Sequence, residues 1–546
     1  MDVCSGGLTG LSATRGVLRA PSTSLGGARH LSCGRSRHRR LSRRRELNAG
    51  GYMQDQARPN VVVIVADTFR RDHLGAYGNP YIHTPNLDAF ARSSVVFDQH
   101  VISSFPTMPA RADMLTGNFS YTFMGWEPLW LTLHTLPGLL SSAGYTTMGV
   151  VDTPYFIRNR FGYDRGFDDF IWVRGQGDDT RPHERSDYRA TWRSESDRLV
   201  ARTVTEAENW LERHYDERFF LYVDTWDPHE PWDAPEYYTA KYRPGYDGRQ
   251  IYPSYAKWGE AGLGEDDVDL AHATYCGEVT MVDFWIGRLL AKLDVLGLRE
   301  NTLVFFVSDH GFYFGEHDYF GKAEWLNTLD AGIIDIAQNA NVPAWLRESW
   351  LLTVGWSPLY QELTRVPLIA RVPGLEPGRR SAMTTAPDLT PTILELTGIE
   401  RPGPEAMQGS SFVDVLTGKK DEHRPFVVSS WPLYFAEGEM TTAVDSRPRR
   451  IASYMPITVT TRDRSVILGG PTDTPEMYDL TSDPHEQVDI WDSRVGEGAA
   501  LIADALSFLE EQGTLAKYLE PRRQALERSG LNSGPVVANS GESAEG

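Results

Sequence analysis

The sequence contains few cysteines and no long apolar run, and each absence excludes a class of protein. Three cysteines among 546 residues provide neither a disulfide framework nor a cysteine pattern spaced to bind a metal. No run of roughly 18 apolar residues occurs, so the sequence predicts no membrane-spanning helix and no membrane partner. Because disulfides are rare where thiols stay reduced, we expect a cytoplasmic protein.

Positive charge is also scarce. The chain carries 54 Lys and Arg against 74 Asp and Glu, a net charge of −20. Residues 1–46 contain ten basic residues and only two acidic residues, so the rest of the chain is more acidic than the whole. A phosphate backbone needs a basic footprint, and we therefore expect no nucleic acid partner. Any anionic group would have to bind at a local positive site, such as a metal ion.

Apolar and aromatic residues are plentiful enough to predict a large core. Hydrophobic residues make up 41% of the chain, which includes 15 Trp. The Arg-rich leader, residues 1–57, lacks the apolar centre of a secretory signal. Two interpretations remain open: the leader is a disordered segment such as an organelle transit peptide, or the start codon is mis-called and the protein begins at Met53. We expect a main domain at 58–424, a smaller α+β subdomain at 425–520 and a disordered tail at 521–546.

Apolar strand patterns alternate with helical patterns through the main domain. Three segments predict buried strands: "NVVVIVA" (60–66), "FFLYVDTW" (219–226) and "NTLVFFVS" (301–308). The segment 196–215 predicts an amphipathic helix, and after Arg424 the pattern changes to short antiparallel strands. The fold class is therefore α/β, a large mixed, mainly parallel sheet flanked by helices, with a small C-terminal antiparallel subdomain.

Polar residues follow the three predicted strands. Asp67 ends the first strand, Asp227 and His229 follow the second, and Asp309 and His310 end the third. Each residue alone is more often a cap, a turn former or a satisfied surface group, but ligands bind outside the carboxyl ends of parallel strands. Carboxylates with an imidazole suit a divalent cation such as Mg²⁺, Mn²⁺, Ca²⁺ or Zn²⁺.

The stretch "SSFPTMPARADMLTG" (103–117) predicts a short helix. Thr107 is expected at its N-cap, Pro109 in its first turn and Gly117 at its end, which taken alone indicates a well-capped surface helix. A threonine hydroxyl becomes a useful nucleophile when a metal or a base activates it. Arg111 lies four residues further on the same helix face, where it could hold an oxyanion through two hydrogen bonds.

Together these motifs resemble the sulfatase family of the alkaline phosphatase superfamily. The resemblance covers most of residues 59–495 and includes, in order, "ADTFRRDHLGAYG", "TMPARADMLTG", "DPHEPW", "SDHGFYFGEH", "YFGK", "LTRVPLIARVPG" and "EMYDLTSDPHEQVDI". It implies a metal-dependent hydrolase that acts on a small anionic ester, contains one divalent metal ion (Ca, Mn, Mg or Zn), and leaves a homo-oligomer possible.

The resemblance also implies roles for individual residues. The implied metal ligands are Asp67, Thr107, Asp309 and His310. The implied catalytic residues are Thr107, Arg111, His229 and Lys322. Thr107 would be the nucleophile, and Arg111 would stabilise it and the transferred group. His229 and Lys322 would contact the ester oxygens or the leaving group.

The sequence departs from the family pattern at three places. Thr68 replaces a second aspartate, and "VVDTPYFIRN" (150–159) replaces a segment with a lysine and a histidine. Thr107 occupies the position that the family oxidises to formylglycine. The Thr β-carbon carries a methyl group, so oxidation cannot give an aldehyde, and an unmodified Thr must form an ester intermediate. This favours phosphate or phosphonate esters over sulfate esters. The alternative is a catalytically silent relative that binds an anionic ligand or a partner.

A segment at about 323–360 is longer than the family pattern requires. It contains four tryptophans and predicts a helical insertion. Two interpretations remain open: packing on the domain or another subunit, or a lid over the metal site.

Overall fold

The computed structural model describes residues 58–531 except 126, 155, 158–160, 174–191, 323, 327–353, 357, 432–455 and 469–473. The predictions for the leader at 1–57 and for the end of the tail lie outside the described residues. The central part of the 323–360 insertion also lies outside them, so its role as a lid or a packing element stays a prediction.

Seventeen strands and eleven α-helices can be followed in the described residues. The strands are β1 (Asn60–Ala66), β2 (Val95–Val101), β3 (Thr146–Val151), β4 (Asp169–Trp172), β5 (Phe219–Thr225), β6 (Ala256–Lys257), β7 (Thr302–Ser308), β8 (Tyr313–Phe314), β9 (Tyr319–Gly321), β10 (Glu324–Leu326), β11 (Val354–Trp356), β12 (Leu368–Arg371), β13 (Gly378–Thr385), β14 (Phe426–Ser430), β15 (Ile457–Thr461), β16 (Arg464–Leu468) and β17 (Glu476–Asp479). The helices are α1 (Pro85–Arg92), α2 (Thr107–Thr116), α3 (Leu136–Ser142), α4 (Leu199–His214), α5 (Glu236–Thr239), α6 (Glu265–Val295), α7 (Gln361–Thr364), α8 (Leu389–Leu396), α9 (Val413–Leu416), α10 (Trp491–Glu511) and α11 (Ala516–Arg528).

The main sheet has eight strands in the order β13-β2-β12-β7-β1-β5-β3-β4. The central strand β1 pairs in parallel with β5 on one side and with β7 on the other. Strand β12 runs antiparallel to both of its neighbours, β2 and β7, while the other pairs of this sheet are parallel. The predicted mixed, mainly parallel α/β sheet is confirmed.

Helices cover both faces of this sheet, as the uninterrupted apolar sequence of β1 requires. Val62 and Ile64 project to one face, where they share a core with residues of α4 and α6. Val61, Val63 and Val65 project to the other face and join a core that includes α2 and α8. Strand β1 is fully buried between these two cores. The end of β1, where Asp67 follows, is therefore fixed by packing on both faces of the sheet.

The C-terminal region forms a separate four-stranded antiparallel sheet, β14-β15-β16-β17, which α10 covers. This confirms the predicted antiparallel sheet, while the domain boundary at 424/425 stays a prediction. The tail predicted to be disordered from residue 521 is wrong for its first part, because α11 continues through Pro521 to Arg528. Arg522 is fully buried there and its Nη2 donates to Ser430 Oγ of β14 at 2.5 Å, so a tertiary contact holds the helix despite the proline.

Two further elements bear on the predictions. No helix among the described residues is both long and apolar enough to cross a membrane. The ends of the predicted insertion form a two-stranded antiparallel pair, with β10 against β11.

Candidate active site

The carboxyl ends of β1, β5 and β7 meet at one edge of the main sheet. Ala66 pairs with Thr225 of β5 and with Ser308 of β7, so Asp67 and Asp309 follow their strands at the same level. Thr68 N donates to Asp309 Oδ1 at 2.9 Å, which joins the two strand ends directly. Both carboxylates are fully buried.

Three predicted metal ligands converge at this edge. One ligand atom from each of Asp67, Asp309 and His310 lies within 4.8 Å of the other two. His310 Nδ1 lies 3.0 Å from Gly311 O and donates to it, which leaves the Nε2 lone pair facing the carboxylates. Nε2 lies 3.5 Å from Asp309 Oδ2 and 4.0 Å from Asp67 Oδ1. Gly311 must lack a Cβ atom, which would lie 1.8 Å from Glu362 O.

The electrostatics of this cluster favour a cation. Burial raises the pKa of Asp67, the charge of Asp309 raises it further, and Arg111 and Lys322 offset part of the effect. Burial, followed by the charge of Lys322, lowers the pKa of His310 to about 3, so its imidazole is neutral. Asp67 Oδ2 is buried and accepts no hydrogen bond from the described residues; its neighbour is the charged Nη1 of Arg111, at 3.1 Å. Oxygen ligands and a neutral imidazole therefore fit the divalent cation that the sequence predicts.

Arg111 links the carboxylates of all three strand ends. Its Nε and Nη2 each donate at 2.8 Å to Asp224, which lies in β5. Its Nη1 lies 2.6 Å from Asp309 Oδ2 and 3.1 Å from Asp67 Oδ2. Nη1 also donates to the backbone oxygen of Thr107 at 3.1 Å, so the four-residue helical spacing brings Arg111 back to Thr107, while the roles expected of the two residues stay predictions. All three carboxylates and the guanidinium are fully buried.

Asp224 is the site residue that the sequence analysis missed. It accepts the bidentate hydrogen bonds from Arg111 and a further one from Tyr222 OH at 2.8 Å. The available signal was an acidic residue inside the otherwise apolar strand "FFLYVDTW", where an unpaired charge would be costly.

Thr107 is the first residue of α2, and the prediction that it is the N-cap is wrong. Pro106, whose side chain cannot accept a hydrogen bond, holds the N-cap position. Because the Thr107 hydroxyl does not cap the helix, it is directed to His310, with Oγ1 3.3 Å from Nε2. The predicted surface helix is also wrong, since every residue of α2 is buried. Gly117 does end the helix, in the left-handed conformation at φ 68°.

His229 and Lys322 form a second group close to this cluster. Lys322 Nζ lies 2.7 Å from His229 Nε2, and both side chains are nearly buried. His229 Nδ1 lies 2.7 Å from Glu230 O and donates to it, so Nε2 accepts from Lys322. Asp227, in contrast, accepts from Val200 N at 3.0 Å and caps the start of α4.

Two of the three departures from the family pattern have structural partners. Thr68 adopts a positive φ of 60°, and its Oγ1 donates to Asp67 Oδ1 at 2.6 Å. In the 150–159 segment, Asp152 accepts from Thr203 Oγ1 at 2.7 Å, and burial raises its pKa to about 7. Thr153 Oγ1 donates to Asp224. Residues 155 and 158–160 of this segment lie outside the described residues.

Known proteins share both the sequence and the fold. The profile of the Sulfatase family matches residues 59–399, and that of "N-sulphoglucosamine sulphohydrolase, C-terminal" matches residues 357–506. An arylsulfatase of Clostridium perfringens is 26% identical over 427 residues, which cover 68% of this chain and 81% of that protein. The multifunctional alkaline phosphatase superfamily protein PehA of Trinickia caryophylli is 26% identical over 455 residues, covering 67% and 79%.

A solved structure supports the same architecture. The phosphonate monoester hydrolase of Agrobacterium radiobacter superposes with a TM-score of 0.62 at 21% identity, covering 84% of this chain and 97% of that one. The family match and the sequence relatives indicate a hydrolase of the alkaline phosphatase superfamily that acts on sulfuric or phosphoric ester bonds. Within that class, the chain belongs to the sulfatase family.

Proposed function

We propose that the chain hydrolyses an anionic ester through a covalent intermediate on Thr107, and that phosphate or phosphonate esters are its preferred substrates. The position of the Thr107 hydroxyl carries this proposal. It lies at the N-terminus of α2, it does not cap the helix, and it is 3.3 Å from His310 Nε2. A helix N-terminus favours an incoming anion through its exposed N–H groups and its dipole.

The choice of phosphorus over sulfur rests on the chemistry of threonine. A formylglycine hydrate has two hydroxyl groups, and the second expels sulfate from the covalent adduct. Thr107 has one hydroxyl, so water must hydrolyse its adduct. The relatives include both an arylsulfatase and a multifunctional alkaline phosphatase superfamily protein, so the preference for phosphorus rests on Thr107 itself.

The proposed reaction assigns metal binding to four side chains and the attack on the ester to Thr107. Asp67, Asp309 and His310, with Thr107, would hold the divalent ion, which supplies positive charge at the reacting oxygens when it is bound. Thr107 Oγ1 attacks the phosphorus or sulfur atom, and the bond to the leaving oxygen breaks as the new Oγ1 bond forms. The hydroxyl proton leaves to solvent, and water later cleaves the adduct and restores Thr107.

Two cationic groups complete the site. Arg111 is fixed by Asp224 and places Nη1 beside Thr107, where it can stabilise the negative charge of the transferred group. Lys322 Nζ protonates the leaving oxygen. The hydrogen bond to His229 Nε2 orients Nζ for that transfer.

Substitutions at Thr107 test the covalent step. With the purified protein and Mn²⁺, aryl phosphate, phosphodiester, phosphonate and sulfate esters are compared for turnover. Thr107→Ala should lower turnover by ~10⁴–10⁶, because the nucleophile is lost. Thr107→Ser should retain activity, because it keeps the hydroxyl. Acid quenching of the wild type should trap an adduct on the Thr107 peptide, and intact mass should show no oxidation.

The outcomes separate the two parts of the proposal. Full activity of Thr107→Ala would contradict the covalent step. Faster cleavage of aryl sulfates than of every phosphorus ester would contradict the substrate preference but leave the covalent step standing. Absence of turnover with all four esters, in Mn²⁺ and again in Ca²⁺, Mg²⁺ and Zn²⁺, would favour the catalytically silent alternative. The cytoplasmic location stays a prediction from composition.

A further inference from the structure

We propose that the chain has a second metal site, for a transition-metal ion such as Zn²⁺, formed by His73, His272 and Cys276. This site is independent of the proposed ester hydrolysis. His73 lies in a short 3₁₀ turn, Arg71–His73, six residues after Asp67. His272 and Cys276 lie one helical turn apart on α6, so their side chains share a face of the helix.

The three ligand atoms converge at one point. His73 Nε2 lies 2.7 Å from His272 Nε2, and Cys276 Sγ lies 3.7 Å from the same nitrogen. One ligand atom of each residue lies within 4.8 Å of the other two. For tetrahedral Zn²⁺ with bonds of ~2.0–2.1 Å to nitrogen and ~2.3 Å to sulfur, the N–N separation is ~3.3 Å and the N–S separation ~3.6 Å. A small opening of the two rings would therefore accommodate the ion.

A carboxylate orients the first ligand. Asp72 Oδ1 lies 2.8 Å from His73 Nδ1 and accepts its proton, which leaves the Nε2 lone pair facing His272. Arg70 holds Asp72 in turn, with Nε 2.9 Å from Oδ1 and Nη2 2.6 Å from Oδ2. A carboxylate that hydrogen-bonds the far nitrogen of a ligating histidine is a recurrent feature of zinc sites.

The chemistry of the three side chains selects the kind of ion. A thiol loses its proton when it binds a metal, so binding at Cys276 would release one proton. Two imidazoles and a thiolate are ligands that Zn²⁺ and Co²⁺ prefer over Ca²⁺ or Mg²⁺.

The site lies beside a partly exposed ring. Tyr81 OH lies 3.4 Å from His272 Nε2, and Tyr81 is 48% exposed. The site would clamp the turn after Asp67 against α6. Tyr275 of α6 already holds the segment between Asp67 and this turn, because its OH donates to Thr68 O and accepts from Arg70 N.

The simpler alternative is a hydrogen bond between the two imidazoles. Because Asp72 fixes the Nδ1 proton of His73, His272 Nε2 would then have to be the donor. That arrangement needs no thiol and predicts no metal affinity.

Cobalt binding to the full-length protein distinguishes the two. We expect Co²⁺ to produce a thiolate-to-cobalt charge-transfer band in wild type, and excess Zn²⁺ to remove it. Cys276→Ser should abolish the band, and His272→Gln should weaken Co²⁺ binding at least ~10-fold, the usual effect of disturbing a metal site. The matched control His214→Gln lies on α4 and should leave the band unchanged. Asp67→Ala should also retain it, because the first cluster contains no sulfur.

A second measurement does not depend on how well the variants fold. In crystals of the wild type soaked with Zn²⁺, anomalous scattering at the zinc edge should give a peak between His73, His272 and Cys276. Absence of this peak, absence of the cobalt band in wild type, or an unchanged band in folded Cys276→Ser would overturn the proposal.

Discussion

The Arg111–Asp224 pair gives the sharpest test of how the site is built. Asp224→Asn keeps the shape of the side chain but removes its charge and one of its two acceptor oxygens. The wild-type carboxylate accepts from Arg111 Nε, Arg111 Nη2 and Tyr222 OH, each at 2.8 Å, and from Thr153 Oγ1. The amide nitrogen would face donors, so one nitrogen of the buried guanidinium would lose its partner.

The expected loss of stability is large. A hydrogen bond to a charged group contributes ~1.5–3 kcal/mol. Removing one partner of a buried ion pair costs ~3–5 kcal/mol. Arg111 still contacts Asp67 and Asp309, so the lower part of that range applies, and we expect a loss of ~3 kcal/mol in the free energy of unfolding. The less compensated guanidinium would also compete more strongly for the two carboxylates that would bind the metal.

Urea unfolding with and without Mn²⁺ measures both effects. Asp168→Asn is the matched control, because Asp168 is exposed and accepts from neutral donors of Thr147 and Ser141. That variant should lose at most ~1 kcal/mol. If Asp224→Asn loses no more than Asp168→Asn, and Mn²⁺ stabilises it as much as wild type, then Arg111 does not depend on Asp224 and the argument is wrong.

Three further predictions follow from the same geometry. Alanine at His229 or Lys322 should lower turnover by ~10²–10⁴ while the melting temperature stays close to that of wild type. If the variants instead unfold and the turnover per folded molecule is unchanged, both residues have a structural role. Asp67→Ala should remove both hydrolysis and stabilisation by Mn²⁺, and retention of either contradicts the shared metal site. Burial lowers the pKa of His100 to about 4, below its value in the unfolded chain. Neutral His100 therefore contributes stability above pH ~6.5, and this contribution, at most about 3 kcal/mol, is lost as the pH falls towards 4. Urea unfolding at a series of pH values should show a smaller loss of stability between pH ~6.5 and ~4 for His100→Gln than for wild type.

The sequence predicted the parts of the fold that have a strong periodic signal. The strands β1, β5 and β7 are largely apolar, and their ends could be placed because an aspartate follows each predicted strand, namely Asp67, Asp227 and Asp309. Parallel pairing then predicted that Asp67 and Asp309 would lie close together. That inference needs no side-chain geometry, which explains why it succeeds from sequence alone.

Other features depend on packing that a sequence does not reveal. Helix α6 is buried on most of its surface, so it has no clear polar face to identify it as a surface helix. The position of Thr107 differs by one residue from the predicted N-cap because Pro106 precedes it. Asp224 was read as part of a strand, since the guanidinium that pairs with it lies 113 residues away in the chain.

The central place of β1 in the main sheet has a consequence for how the chain is made. Strand β1 is synthesised before every other described strand, yet its neighbours β5 and β7 are made much later. Thr68 and Asp309, which a hydrogen bond joins in the folded protein, are separated by 241 positions. Strand β1, apolar from Val61 to Ala66, therefore has no sheet partner until β5 is made and keeps one unpaired edge until β7 is made, and such strands are slow to pair and prone to aggregate. A product that ends before residue 302 would lack β7, leave one edge of β1 unpaired, and lack Asp309 and His310, which are half of the proposed metal ligands.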